Sequence, residues 1–284
     1  MKIKQNKKHL LVLGMLLVGV LVLSGCARAG GMEPITADST GFWDRYVLYN
    51  LSQIIIWLSG VFGNSYGMGI IVFTILARLL LTPLYSLQMK NTEKMQKMQP
   101  ELRALQEKYA SRDAETQQKL QEETAKLQEK YDTNQFAGCL PLLIQLPILT
   151  ALYQAISRTE ALTNGHFLWM ELGKPDPYFI LPIIAAVSIW YSTHLSQIAS
   201  GIKSGSMTAM QYVMPVFIFF VMMNLPSALA LYMATANVFT IGQTLLINNP
   251  YQKQRARHEE EAKERDLERR LEKARRNPRG KKRK

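Results

Sequence analysis

Charge is missing from three long stretches of this 284-residue sequence: 133–157, 177–202 and 204–252. Runs of that length without Asp, Glu, Lys or Arg are rare in soluble folds and read as membrane-spanning helices. Cysteine is scarce as well. Cys26 and Cys139 allow one disulfide at most, so no disulfide framework is expected. The four histidines, His9, His166, His194 and His258, lack the neighbours a metal site needs, and no metal is expected. No glycine-rich phosphate loop and no nucleophile–base pairing is visible, so the sequence suggests neither an enzyme nor a cofactor.

What is present is apolar and basic. Hydrophobic residues make up 48% of the chain, and the net charge is +12. Residues 251–284 contribute fifteen Lys/Arg against seven Asp/Glu. At the other end, Lys2, Lys4, Lys7 and Lys8 precede an apolar run over 10–23 and then Leu-Ser-Gly-Cys. This is the layout of a secretory signal. Its ending resembles a bacterial lipoprotein box, which makes 1–25 a signal peptide and Cys26 the lipidated residue. The segment 26–64 follows outside the membrane. Its apolar part, 42–62, is rich in aromatics and contains Asn50, Ser52 and Gln53, which fits an interfacial helix better than a span.

Five spans are expected: 65–88, 136–158, 178–197, 210–225 and 226–248. The last two are separated at Asn224-Leu225-Pro226-Ser227, where Pro226 disfavours helix at Leu225. An odd number agrees with a lipid anchor outside and a basic tail, 249–284, inside. The loop 159–177 then lies outside, and 89–135 and 198–209 inside. In the large inner loop nine basic and nine acidic residues cancel. Met95, Met98, Leu102, Leu105 and Tyr109 form one apolar stripe, and Leu120, Thr124, Leu127 and Tyr131 another, which predicts an antiparallel helical hairpin. The helix over 258–276 and the basic residues after it suit a polyanion, either anionic lipid head groups or ribosomal RNA.

Arg78 is the anomaly. A continuous helix over 65–88 would put it ten residues before the polar end, roughly 15 Å into a hydrocarbon core about 30 Å thick. A charge there costs at least about 2.5–3.5 kcal/mol. None of the five spans contains Asp or Glu, so no intramembrane carboxylate can neutralise it. That absence counts against ion-coupled transporters and proton relays, which place acids at membrane depth. Two partners remain. One is a wet cavity lined by neutral groups, with Thr74, Gln145, Tyr153, Trp190 and Asn237 as candidates and Tyr232, Gln243 and other span residues behind them. The other is an anion carried in by a ligand. A transporter or channel with an anion site and an assembly scaffold are the competing readings.

Several segments, taken in order, resemble the YidC family of membrane protein insertases, with relatives in mitochondria and chloroplasts. They are the lipobox, "FTILARLLLTPL", the charged hairpin, "GCLPLLIQLPIL" over 138–149, "MPVFIFFVMMNLPSALALY" over 214–232 and the basic tail. The short lipoprotein form of Gram-positive bacteria is the nearer likeness. The resemblance implies an all-α polytopic membrane protein of the bacterial cell membrane. Five transmembrane helices would surround a hydrophilic groove holding Arg78, with Gln145 on its wall, beside an interfacial helix and a cytoplasmic helical hairpin. It implies an insertase and chaperone acting on nascent membrane proteins, alone or with the Sec translocon, and meeting the ribosome through the tail. No DNA partner is implied. Where many members have Trp after the Leu-Tyr that follows Asn-Leu-Pro, this chain has Met233.

Overall fold

The structure, a computed structural model, describes residues 33–111, 113–133, 140–201 and 205–276. The expected signal peptide, Cys26 and the basic end after residue 276 lie outside these residues.

A π-helical turn, Trp43–Leu48, runs directly into α1 (Tyr49–Val61). Leu48, Ser52, Ile55 and Ser59, at 4-3-4 spacing, form its buried side, while Phe42, Tyr46, Ile54, Trp57 and Val61 stay exposed. The buried hydroxyls are satisfied locally: Ser52 donates to the Tyr49 carbonyl at 2.8 Å and Ser59 to that of Ile55 at 2.7 Å. A helix apolar on both sides has protein against one and needs a non-aqueous medium against the other. Gly63 and Asn64, at φ 65° and 62°, then turn the chain into α2 (Tyr66–Leu80), bent 114° from the preceding helix. The two helices cross closely because Gly69 lacks a side chain. A Cβ there would fall 2.1 Å from Ser59 Oγ and 2.7 Å from the Ile55 carbonyl oxygen.

The helix expected over 65–88 is interrupted. α2 stops at Leu80, and α3 (Thr82–Lys108) starts after a break at Leu81. Pro83 explains the position: it has no N–H to return to the Leu79 carbonyl, and its ring disfavours helix at Thr82. Arg78 therefore stands in the last turn of α2, where the helix dipole favours a cation. The first helix of the hairpin also begins earlier than residue 90.

α3 pairs with α4 (Ala114–Lys130). Met98 and Leu127 are buried between them, and the other predicted stripe residues are partly buried. Ion pairs flank this seam, Lys130–Glu101 at 2.8 Å and Lys94–Asp132 at 2.7 Å. Hydrogen bonds from Lys130 and Tyr131 hold the Glu101 carboxyl below the usual carboxylate range. Asp113 caps α4 by accepting from the Thr116 N–H at 2.8 Å. The Ser111 hydroxyl, with that backbone N–H, lowers its pKa to about 2.

α5 (Leu140–Ser157) leads through a short α6 (Glu160–Thr163) to a two-stranded hairpin, β1 (His166–Phe167) and β2 (Met170–Glu171). Then come α7 (Ile180–Ser200), α8 (Gly205–Met222), α9 (Ser227–Ile247) and α10 (Pro250–Arg276). The turn between α8 and α9 holds Asn224, Leu225 and Pro226. It docks on the hairpin loop, since Ser227 Oγ donates to the Lys174 carbonyl at 2.7 Å and Ala228 N to that of Leu172 at 3.1 Å.

α9 is the central helix. It packs against α2 and α7, and α7 packs against α8. Ile55, Ile70, Leu152, Ile156, Leu172, Ala228, Leu229 and Tyr232 join into one core. At the far end of α7, Gly201 adopts φ 68°, and the Arg257 guanidinium of α10 donates to the free carbonyls of Ile198 and Ala199. Glu93 of α3 pairs with Lys253 of α10, so the base of the tail is fastened to both the hairpin and the bundle. Among the described residues, the continuous run Ser227–Arg276 is long and apolar enough to cross a membrane, and the bent pair Trp43–Val61 and Tyr66–Leu80 qualifies when taken together.

Candidate functional site

α2, α5 and α9 bring three polar side chains together in otherwise apolar surroundings. Arg78 Nη2 donates to Gln145 Oε1 at 3.4 Å, and Gln145 Nε2 donates to the Tyr232 hydroxyl at 3.1 Å. The same Nε2 lies 3.7 Å from Met233 Sδ, a weak acceptor for the amide. Tyr232 is buried, while Arg78 and Gln145 are half-buried. The 3.4 Å contact is long for a hydrogen bond from a cation, and its acceptor is neutral. Among the described residues no carboxylate pairs with Arg78. Among the described residues the guanidinium thus has one side-chain hydrogen bond, to a neutral acceptor.

The local reasons are simple. Arg78 and Thr74 lie one turn apart on α2 and share a face. Thr74 is wholly buried, and its hydroxyl donates back to the Ile70 carbonyl at 2.6 Å, so it presents no free donor. On α5, Pro147 follows Gln145 by two residues inside the helix. Tyr153, two turns further on, packs against the core. Trp190 belongs to α7 and stacks on His194 with ring centroids 5.5 Å apart; Gln211 of α8 bonds that histidine at 3.3 Å. Asn237, on α9 five residues after Tyr232, buries an Nδ2 that has no partner. Of the six candidates, then, Arg78 and Gln145 touch, Thr74 supports their helix, Asn237 carries an unmet donor, and Tyr153 and Trp190 are engaged in packing.

A second tier of polar contacts lies below the break at Leu81. Thr82 donates to the Arg78 carbonyl at 3.0 Å and accepts from Gln243 Nε2 at 2.7 Å. The Tyr85 hydroxyl and Thr244 Oγ1 meet at 2.9 Å. These pairs fasten the start of α3 to α9. Their signal in the sequence was faint: Thr82 and Pro83 mark a helix start, and Gln243-Thr244 is a polar pair in an apolar run. The cluster holds no nucleophile–base pair, and no metal-ligating group of three His, Cys, Asp or Glu occurs among the described residues. What it presents is a fixed, unneutralised positive charge beside amide and phenol groups.

The 60Kd inner membrane protein family model matches residues 57–255. Membrane protein insertase YidC 2 of Listeria innocua is 48% identical over 256 residues, covering 90% of this chain and 88% of that one. The YidC 2 insertase of Lactiplantibacillus plantarum is 52% identical over 89% of this chain and 90% of its own length, and the insertase MisCA of Bacillus subtilis is 46% identical over 84% and 92%. The crystal structure of an active YidC insertase with its first transmembrane domain resolved aligns with a TM-score of 0.56 at 30% identity. That alignment covers 72% of this chain and 47% of the solved one, so less than half of the solved chain has a counterpart here. With this shared helical fold and this extent of identity, the chain belongs to the 60Kd inner membrane protein family, that of the YidC membrane protein insertases.

Proposed function

We propose that this protein inserts other proteins into the bacterial cell membrane and helps them fold there, with the Arg78 cluster receiving the polar flank of each client. One observation carries the reading: a half-buried guanidinium whose side-chain contact, among the described residues, is a single neutral amide at 3.4 Å. A fixed charge that the fold leaves without a counter-ion is costly to the protein alone. It is useful if an acidic segment passes by and supplies the missing anion. The Gln145–Tyr232 pair gives such a segment further hydrogen-bonding groups.

The sequence of events follows from those groups. The polar flank of the client exchanges bulk water for the cluster, which shortens its path across the hydrocarbon. Its apolar helix then partitions sideways into lipid, gaining about 25 cal/mol per Å² of apolar surface removed from water. No nucleotide is consumed, because that transfer drives the step. The wider arrangement we propose has five spans, with 65–88 as a broken helix, a lipid anchor at Cys26 outside, and the hairpin and basic tail inside. The tail meets the ribosome, and the Sec translocon takes part for some clients.

The test places a photo-crosslinking amino acid at position 145 in living cells that synthesise a radiolabelled client with an acidic translocated segment. Adducts with the nascent chain are expected, and Arg78→Ala should diminish them. Adducts with mature membrane proteins alone would contradict the reading and favour an assembly scaffold.

A further inference from the structure

The loop between α5 and α7 contains a turn whose chemistry is wrong for water. β1 and β2 pair His166 with Glu171 and Phe167 with Met170, which leaves Leu168 and Trp169 as a two-residue hairpin tip. Such tips need positive φ and normally take Asn or Gly. Here Leu168 sits at φ 54° with 72% of its surface exposed, and Trp169 beside it is also exposed. A bulky apolar residue held in the left-handed region at a solvent tip is unfavourable twice over, in backbone strain and in lost burial. The nearby charges do not serve the tip, since Glu171 and Lys174 pair with each other at 2.6 Å.

The tip is also held rigidly. Asp176 is 2% exposed, and its carboxylate accepts from Trp169 Nε1 at 3.0 Å, from Tyr178 N at 3.1 Å and from Leu181 N at 2.8 Å. Three N–H donors satisfy one buried carboxylate and tie the tip indole to the first turn of α7. Behind the tip, the Phe167 ring fills the space that a Cβ at Gly67 would need, and Met170 and Leu172 enter the core. The hairpin is therefore a firm projection at the end of the bundle.

What surrounds that projection is apolar and continuous with α7. Tyr178, Phe179 and Ile180 are exposed next to the tip, and Ile183, Ile184 and Val187 carry the same exposed surface along the helix. In a spanning helix an exposed Ile/Val face meets acyl chains, and Trp and Tyr at its end sit at the head-group level.

We propose that Leu168 and Trp169 form a wedge seated in the outer leaflet, with Asp176 as the positioning residue that sets its depth relative to α7. The ligand is the interfacial zone of the bilayer itself. The inference rests on the proposed topology, with 159–177 on the outer side, and goes beyond it by assigning this hairpin to lipid and not to water or to a protein partner.

The test uses the full chain with Cys139→Ser, a nitroxide on Leu168→Cys, and vesicles of phosphatidylglycerol and phosphatidylethanolamine. Collisions with oxygen report lipid, and collisions with a nickel chelate report water. At 168 oxygen is expected to dominate. At Lys174→Cys, in the same loop, the nickel chelate is expected to dominate. Asp176→Asn should move the 168 signal towards that of 174. A 168 label as open to nickel as 174 would overturn the proposal in favour of a water-facing tip. A 168 label shielded from both reagents would overturn it in favour of a protein contact. Topology is read separately, by treating intact cells carrying Lys174→Cys with a membrane-impermeant maleimide. Failure to label would refute the outer placement on which the function reading relies, whereas labelling together with a nickel-open tip would refute only the wedge.

Discussion

Two arginines in this chain have opposite surroundings. Arg158, just past the end of α5, is paired on all three of its nitrogens. Its guanidinium grips Asp44 with two bonds of 3.2 and 2.7 Å, and its Nε donates to the Glu33 carbonyl at 2.9 Å. The backbone joins in, with Ile35 N donating to the Arg158 carbonyl at 3.0 Å. Among the described residues Arg78 has one side-chain bond, of 3.4 Å to a neutral amide. The first arrangement spends its charge on holding the N-terminal segment to the bundle. The second leaves its charge available. Both side chains carry the same five donors, so the difference lies in what the fold supplies around them. A charge fully paired inside its own chain can do little except hold structure, whereas an unpaired one has something to offer a partner.

The largest expected effect comes from removing the available charge. Arg78→Ala should reduce insertion of clients with acidic translocated segments by about 10- to 100-fold, the equivalent of losing about 1.5–3 kcal/mol of charge-assisted bonding. Its thermal midpoint should stay level or rise, because among the described residues the side-chain bond it loses is one long contact to a neutral amide. Insertion assays in a depletion strain, paired with melting of the purified protein, read both quantities, and Arg78→Lys should retain part of the activity. Arg158→Ala should behave the other way. It strands a partly buried Asp44 and should cost about 1–3 kcal/mol of stability, with a smaller effect on clients that fold slowly or quickly alike. Denaturation of the detergent-solubilised protein measures it.

A smaller effect is expected at Tyr232→Phe. This removes the hydroxyl that accepts from Gln145 and keeps the ring in the core, so stability should fall by about 0.5–1.5 kcal/mol. Insertion should drop a few-fold as Gln145 loses its orientation. The smallest effect concerns the hairpin. The Asp113 pKa is lowered to about 2 in the fold, against an ordinary value of 3.8. Its contribution to α4 is therefore present above about pH 4 and disappears as pH falls towards 2. Limited proteolysis of the hairpin by an acid-active protease should accelerate across that window, and Asp113→Ala should flatten the dependence.

Much of this contrast was legible in the sequence, and some was not. The described parts of the charge-free stretches are largely helical, and Met98 and Leu127 of the two apolar stripes are buried between α3 and α4. Among the described residues Arg78 pairs with no carboxylate, and its side-chain bond is to the Gln145 amide. The break at Leu81, next to Thr82-Pro83, falls inside an unbroken apolar run, so hydropathy alone does not mark it. Trp190 stacks on His194, one turn along the same helix, a contact the helical spacing allows but does not announce. Arg158 and Asp44 are 114 residues apart, and no local pattern joins them. Asp176 was invisible for a different reason. Two of its three donors are backbone N–H groups, which every residue carries, so only the folded loop shows that they converge.

The most direct measurement turns Arg78 into a second Arg158. Gln145→Glu places a carboxylate where the neutral amide now stands, within reach of the same guanidinium. With the charge satisfied internally, insertion of clients with acidic translocated segments should fall nearly as far as in Arg78→Ala, while the thermal midpoint of the purified protein holds or rises. Wild-type insertion by a Gln145→Glu protein would contradict the claim that Arg78 is kept free for its clients.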